Sequence, residues 1–109
     1  MSEIVLVLTT VPTELVGETI GQALLDASVA ACVNVLPPMT SIYRWQGAIQ
    51  RSVECQLIIK TTRERLETVE QRIRELHPYE LPELLVVGVE GGSAEYLAWV
   101  RGATTTAAQ

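Results

Sequence analysis

Two apolar runs constrain this chain more than any other feature. Ile4-Val5-Leu6-Val7-Leu8 is apolar at every position, and Leu84 to Val89 is nearly so. Successive side chains of a strand point to opposite faces of its sheet. A strand apolar at consecutive positions therefore needs cover on both sides. Any fold for this chain must bury both faces of the sheet that contains these strands.

The segments between them supply cover for one face. Pro12 and Thr13 open a helix whose apolar stripe is Val16, Ile20, Ala23, Leu24 and Ala27. Gly17 and Gly21 each lower its propensity by about 1 kcal/mol relative to alanine, so packing must support it. Cys32 to Leu36 reads as a strand that Pro37-Pro38 interrupts. From Thr40 to Gln46 the period is two, with Ser41, Tyr43 and Trp45 on one face. Gly47 marks a tight turn. Val53, Cys55, Leu57 and Ile59 then alternate with Glu54, Gln56, Ile58 and Lys60, completing a long hairpin. Thr61 and Glu64 fit a capping box. The helix that follows carries Leu66, Val69, Ile73 and Leu76 in one stripe and stops at His77-Pro78. After Leu84 to Val89, Ser93 caps a short helix with Tyr96, Leu97, Trp99 and Val100.

This order predicts an α+β, ferredoxin-like βαββαβ fold. It has a four-stranded antiparallel sheet, a long hairpin and a short C-terminal helix. One domain is expected over residues 1–103, with residues 104–109 as a frayed polar tail. Both long helices should lie on one face. The other face is too apolar for a monomer, and self-association is its simplest cover.

Composition narrows the function classes. The net charge is −5 with no run of lysine or arginine, which disfavours a nucleic-acid partner. No apolar run is long enough for a membrane span. The opening Met1-Ser2-Glu3 lacks a positive region, so a cytoplasmic protein is expected. Cys32 and Cys55 are too far apart for a zinc-type cluster and read as reduced thiols. Phenylalanine is absent, so the two tryptophans and three tyrosines stand out.

The only histidine, His77, heads the run His77-Pro78-Tyr79-Glu80. An imidazole, a phenol and a carboxylate there share a stiff backbone. Taken alone, this is a helix-ending turn whose histidine suits the helix dipole, or a candidate metal or ligand site. No catalytic dyad is visible. A phosphate-cradling loop after the first strand would need glycine or arginine, and Thr9-Thr10-Val11-Pro12 has neither. The chain is not expected to be an enzyme.

Five stretches, in order, carry a resemblance. They are Ala30-Ala31-Cys32-Val33-Asn34, Ser41-Ile42-Tyr43-Arg44-Trp45-Gln46-Gly47, Ile59-Lys60-Thr61, His77-Pro78-Tyr79-Glu80 with Pro82-Glu83, and Tyr96-Leu97-Ala98-Trp99-Val100. Together they resemble the CutA (CutA1) divalent-cation tolerance family over nearly the whole chain. The resemblance implies a homotrimer similar to the PII signalling proteins, which bind small effectors between subunits. It implies a role in copper or other divalent-cation tolerance, with no required cofactor. Alternatives are a PII-like effector sensor or a trimeric scaffold without physiological metal. Among possible metal ligands, His77 matches the family histidine and Cys32 the cysteine after the first helix. Leu76 and Thr9 stand where some members carry a second histidine and a further cysteine. The expected ligand cleft lies between subunits and joins His77, Tyr79 and Glu80 with Lys60, Tyr43, Trp45 and Cys32. Its mixture of imidazole, carboxylate and ammonium suits a metal ion or a small anion or zwitterion.

Overall fold

The structure, a computed structural model, describes residues 3–105. Met1, Ser2 and residues 106–109 of the expected tail lie outside the described residues. The chain runs β1 (Ile4–Val11), α1 (Glu14–Asp26), β2 (Cys32–Val35), β3 (Met39–Trp45), β4 (Ala48–Thr62), a 3-10 turn (Arg63–Arg65), α2 (Leu66–Leu76), β5 (Leu85–Gly88) and α3 (Ala94–Ala103). All strand pairs are antiparallel. The order across the sheet is β2-β4-β1-β5, with β3 also on β4.

The expected ferredoxin-like fold is present, with one strand more than the four expected. Pro37-Pro38 lies between β2 and β3, and proline cannot donate to a ladder. One predicted edge thus becomes two strands along the same partner. β2 pairs with Leu57 to Lys60 of β4, and β3 pairs with Ala48 to Glu54. β4 is accordingly 15 residues long. Its second half pairs with β1 from Cys55 to Thr62 and carries the core, while its first half extends as a hairpin with β3. Gln46 and Gly47 form the hairpin's two-residue turn with φ of 50° and 82°. Two left-handed residues in succession match the twist of the paired strands, and glycine takes such a φ without strain.

Alternation assigns the two faces. Val7, Val11, Cys55, Leu57 and Ile59 pack with Ile20 and Leu24 of α1 and Val69 and Ile73 of α2. The two glycines that weaken α1 allow this approach. A Cβ at Gly17 would lie 2.9 Å from Leu57 Cδ2 and 3.2 Å from Val35 Cγ1, and one at Gly21 would lie 3.2 Å from Val33 Cγ1. Thr13 caps α1 by accepting from Val16 N at 3.1 Å, and Ser93 caps α3 by accepting from Tyr96 N at 3.2 Å.

The expected capping box at Thr61 is not formed. β4 continues through Thr62, and the buried Thr61 hydroxyl donates to Val29 O at 2.6 Å. Thr104, expected in the frayed tail, is buried and donates to Val100 O at 3.0 Å.

The other face carries Leu6, Leu8, Ile58, Leu85 and Val87 by register. Val100 of α3 packs with Ile4 and Ala31 at one end of the sheet. β5 differs from the expected two-sided burial, because all four of its residues are exposed in the single chain. Among the described residues no helix is long and apolar enough to cross a membrane.

Candidate ligand cleft

The hairpin, the sheet and the turn after α2 enclose an open cleft of about 920 Å³. Each wall follows from register. Tyr43 and Trp45 share a face of β3, and Glu54 and Gln56 occupy the matching face of β4. Pro78 to Glu83 form the opposite wall, because α2 ends at Leu76 and the chain must return to β5. Thr10, Met39, Ser41 and Ile42 complete the lining.

His77 builds this wall without lining it. As the C-cap of α2 it has φ −81° and ψ 133°, the extended geometry that a following proline favours. Its Nε2 lies 2.7 Å from Thr10 O, and Tyr79 N donates to its Nδ1 at 3.1 Å. A carbonyl can only accept, so Nε2 carries the proton and Nδ1 is the acceptor. The ring lies tilted against the Tyr79 ring, with centroids 4.7 Å apart and planes at 48°. Both nitrogens are used, leaving no free lone pair for a metal in this arrangement. Burial, then Glu54, Tyr43 and Cys55, push the Tyr79 phenol above its ordinary pKa.

Tyr43, Trp45, Tyr79 and Glu80 of the expected site therefore meet in one cleft. Cys32 and Lys60 do not join them. Cys32 pairs with Lys60 across the sheet, while His77 holds Thr10, the partner of Gln56. Four residues of strand separate Lys60 from Gln56, roughly 14 Å. Lys60 instead donates to Tyr96 Oη at 3.4 Å, with its ammonium 5.7 Å from the ring centre of that tyrosine. Within one chain, the expected metal pair of His77 and Cys32 is thus separated by the sheet register. Among the described residues, no group of three or more His, Cys, Asp or Glu could hold a metal ion. Within the single chain the cleft is lined by carboxylates and aromatics, without Lys, Arg or His among the described residues, so the expected mixture with imidazole and ammonium would have to be completed between subunits.

Glu54 is the residue that sequence reasoning passed over. It is 6% exposed and lines the cleft, with no hydrogen bond or ion pair among the described residues. Its signal was a carboxylate inside a strand whose neighbours Val53 and Cys55 are apolar. Alternation placed it opposite the core row, and only the return of Pro78 to Glu83 covers it. Glu83 differs, since Gln56 Nε2 donates to its carboxylate at 3.2 Å and to Thr9 O at 2.7 Å. Both cysteines are free thiols. Burial, then the charges of Glu14 and Glu54, push the Cys55 thiol up.

The family model described as CutA1 divalent ion tolerance protein matches residues 5–103. The chain is 45% identical over 101 residues to the divalent-cation tolerance protein CutA of Thermus thermophilus, covering 93% of this chain and 96% of that protein. It is 40% identical over 95 residues to the human protein CutA, covering 87% of this chain and 53% of the human one. It thus spans about half the length of that relative. Among solved structures, the Cut A1 protein of Thermus thermophilus superposes with a TM-score of 0.91 at 43% identity, covering 94% of this chain and 99% of that one. CutA from Xylella fastidiosa superposes with a TM-score of 0.92 at 39% identity, covering 95% and 100%.

Proposed function

Because the chain belongs to the CutA1 divalent ion tolerance family, we propose that it works as a homotrimer that binds a small ligand or metal ion at clefts between subunits. Its role would be tolerance of divalent cations, copper among them, in the cytoplasm. Free thiols are compatible with that reducing compartment. The uncovered sheet carries the proposal. Leu85 is 56% and Val87 44% exposed on β5, and Ile42, Ile49 and Val53 are 60%, 66% and 64% exposed on the hairpin. By register Leu85 and Val87 lie on the face away from α1 and α2 and the three hairpin residues on the other face, so both faces leave large apolar side chains in water, which monomeric proteins rarely do. Burying them stabilises by about 25 cal/mol per Å² of apolar surface, as an upper estimate.

A neighbour packed on the hairpin would close the cleft beside Tyr43 and Trp45. That favours the second reading within the same family, a PII-like module that senses a small effector. The aromatic walls and the absence of clustered metal ligands among the described residues support an organic ligand over a bare ion. Native mass spectrometry of freshly purified protein, with metal analysis of the same sample, tests the proposal. A three-chain species carrying a bound metal or small molecule is expected. A monodisperse monomer at micromolar concentration would refute the trimer.

A further inference from the structure

Resting on the reading of the cleft as a ligand site, we infer that its ligand bears an organic cation, an ammonium head held by Glu54 between aromatic walls. Three carboxylates line the cleft, from Glu54, Glu80 and Glu83, and no lysine, arginine or histidine does. Their environments differ. Glu83 already accepts from Gln56, and Glu80 is exposed. Glu54 alone is buried without a partner among the described residues. Among the described residues Thr9 Oγ1 is the one fully buried side-chain polar atom without a hydrogen bond, so the unpaired Glu54 oxygens open onto the cleft, and a cation entering there meets a carboxylate that no protein donor already holds.

The surroundings select the kind of partner. Tyr43 and Tyr79 line the same space, Glu54 lies within electrostatic reach of Tyr79, and an aromatic ring face attracts a cation. Met39, Leu81 and Pro82 add apolar surface suited to alkyl groups. A hard divalent ion wants six or more oxygen ligands and little apolar wall, and no three ligating groups converge here. An alkylammonium or quaternary ammonium satisfies both halves of the lining. Its charge meets Glu54 and its methyl or methylene groups meet the rings. The rival occupant is an arginine from a second copy, such as Arg44 or Arg51 of the hairpin. It would leave no room for an added cation.

Titration calorimetry on the purified full chain separates these cases. The probes are choline chloride and butylammonium chloride, with sodium butyrate, calcium chloride and copper(II) chloride for comparison. At least one ammonium probe should saturate at one site per chain, with butyrate showing no saturable heat. Glu54→Gln keeps the size and removes the charge, and should weaken that binding about tenfold or more. Tyr79→Leu, which removes the ring that Glu54 acts on electrostatically and leaves Glu54 intact, should weaken it as well. Circular dichroism checks that both variants fold. The inference is overturned if no ammonium probe saturates, if butyrate binds better, if only the metal salts bind, or if both folded variants bind like the parent. Native mass spectra of the same samples keep the two claims apart. An intact trimer without ammonium binding sinks this inference alone. A monomer that binds choline through Glu54 keeps it and refutes the trimer, and a monomer that binds nothing overturns both.

Discussion

At Gly17 helix propensity and packing pull in opposite directions. Alanine would favour α1 by about 1 kcal/mol in isolation. Its methyl would press on Leu57, Val35 and Val11, all within 3.3 Å. Overpacking of this kind costs roughly 1–3 kcal/mol. Gly17→Ala should therefore lower stability by about 1 kcal/mol in urea unfolding, and a stabilised variant would show that Leu57 moves aside freely. His77→Ala should cost more, roughly 2–4 kcal/mol, because Thr10 O and Tyr79 N both lose a buried partner. The same denaturation measurement checks it, and a loss near zero would mean that water replaces the imidazole. Composition singled out His77 as the only histidine. Its partner Thr10 lies 67 residues away in sequence, so nothing local could show that the ring fastens α2 to the end of β1. Cys55 and Tyr79 add a pH dependence. Burial raises both values, first among their causes, so the folded chain holds these protons more tightly than the unfolded chain does. Their stabilising effect is full below the ordinary thiol and phenol ranges. It declines as pH rises past first the thiol and then the phenol value. Unfolding free energy measured from neutral to alkaline pH should fall across that window, and less steeply in Cys55→Ala.

Among the elements, β4 divides into halves with different tasks. Leu57, Ile59 and Thr61 are fully buried, whereas Ile49 and Val53 are exposed in the single chain. Ile59→Ala should cost about 2–5 kcal/mol, the usual range for emptying a packed aliphatic site. Val53→Ala should leave the intrinsic stability of the chain nearly unchanged and instead weaken assembly. Unfolding in guanidinium, paired with light scattering over a dilution series, reads the two effects separately. Equal losses of folding stability would contradict the division. The existence and type of each long element were legible, since periods of two and 3.6 are backbone properties. The end of β4 was not. Thr61-Thr62-Arg63-Glu64 matches a helix start, but the Thr61 side chain is drawn inward to Val29 O. A cap and a buried hydroxyl look the same in sequence, and the tertiary partner decides. The cleft was half legible for a related reason. Tyr43, Trp45, Tyr79 and Glu80 lie in conspicuous motifs, whereas Glu54 matters only through what folds over it. Lys60, expected to reach the site as the end of a hairpin strand near a neighbouring subunit, lies within its own chain opposite Leu6, away from this cleft.

For the whole molecule, an edge strand exposed over its length invites another chain. Val87→Glu places a charge on the open face and should shift the assembly toward monomer at micromolar concentration, read by sedimentation velocity. An unchanged trimer would locate the interface elsewhere. The sheet order also has a consequence for the order in which the protein is made. The strand with the longest apolar run, β1, pairs with β4 and β5, beginning with Ile4 against Thr62. A ribosome adding about 10 residues per second takes roughly six seconds to reach that partner. Until then the growing chain holds a bare sticky segment that only the amphipathic α1 can shield. The hairpin of β3 with β4 closes locally within microseconds, but it offers β1 nothing until residues 55–62 emerge. Synthesis should thus show one late, abrupt gain of protease resistance once β4 has cleared the exit tunnel. Nascent chains arrested with residue 50 exposed should be digested, and chains extended beyond the end of β5 should resist. A gradual gain along the chain would contradict this timing.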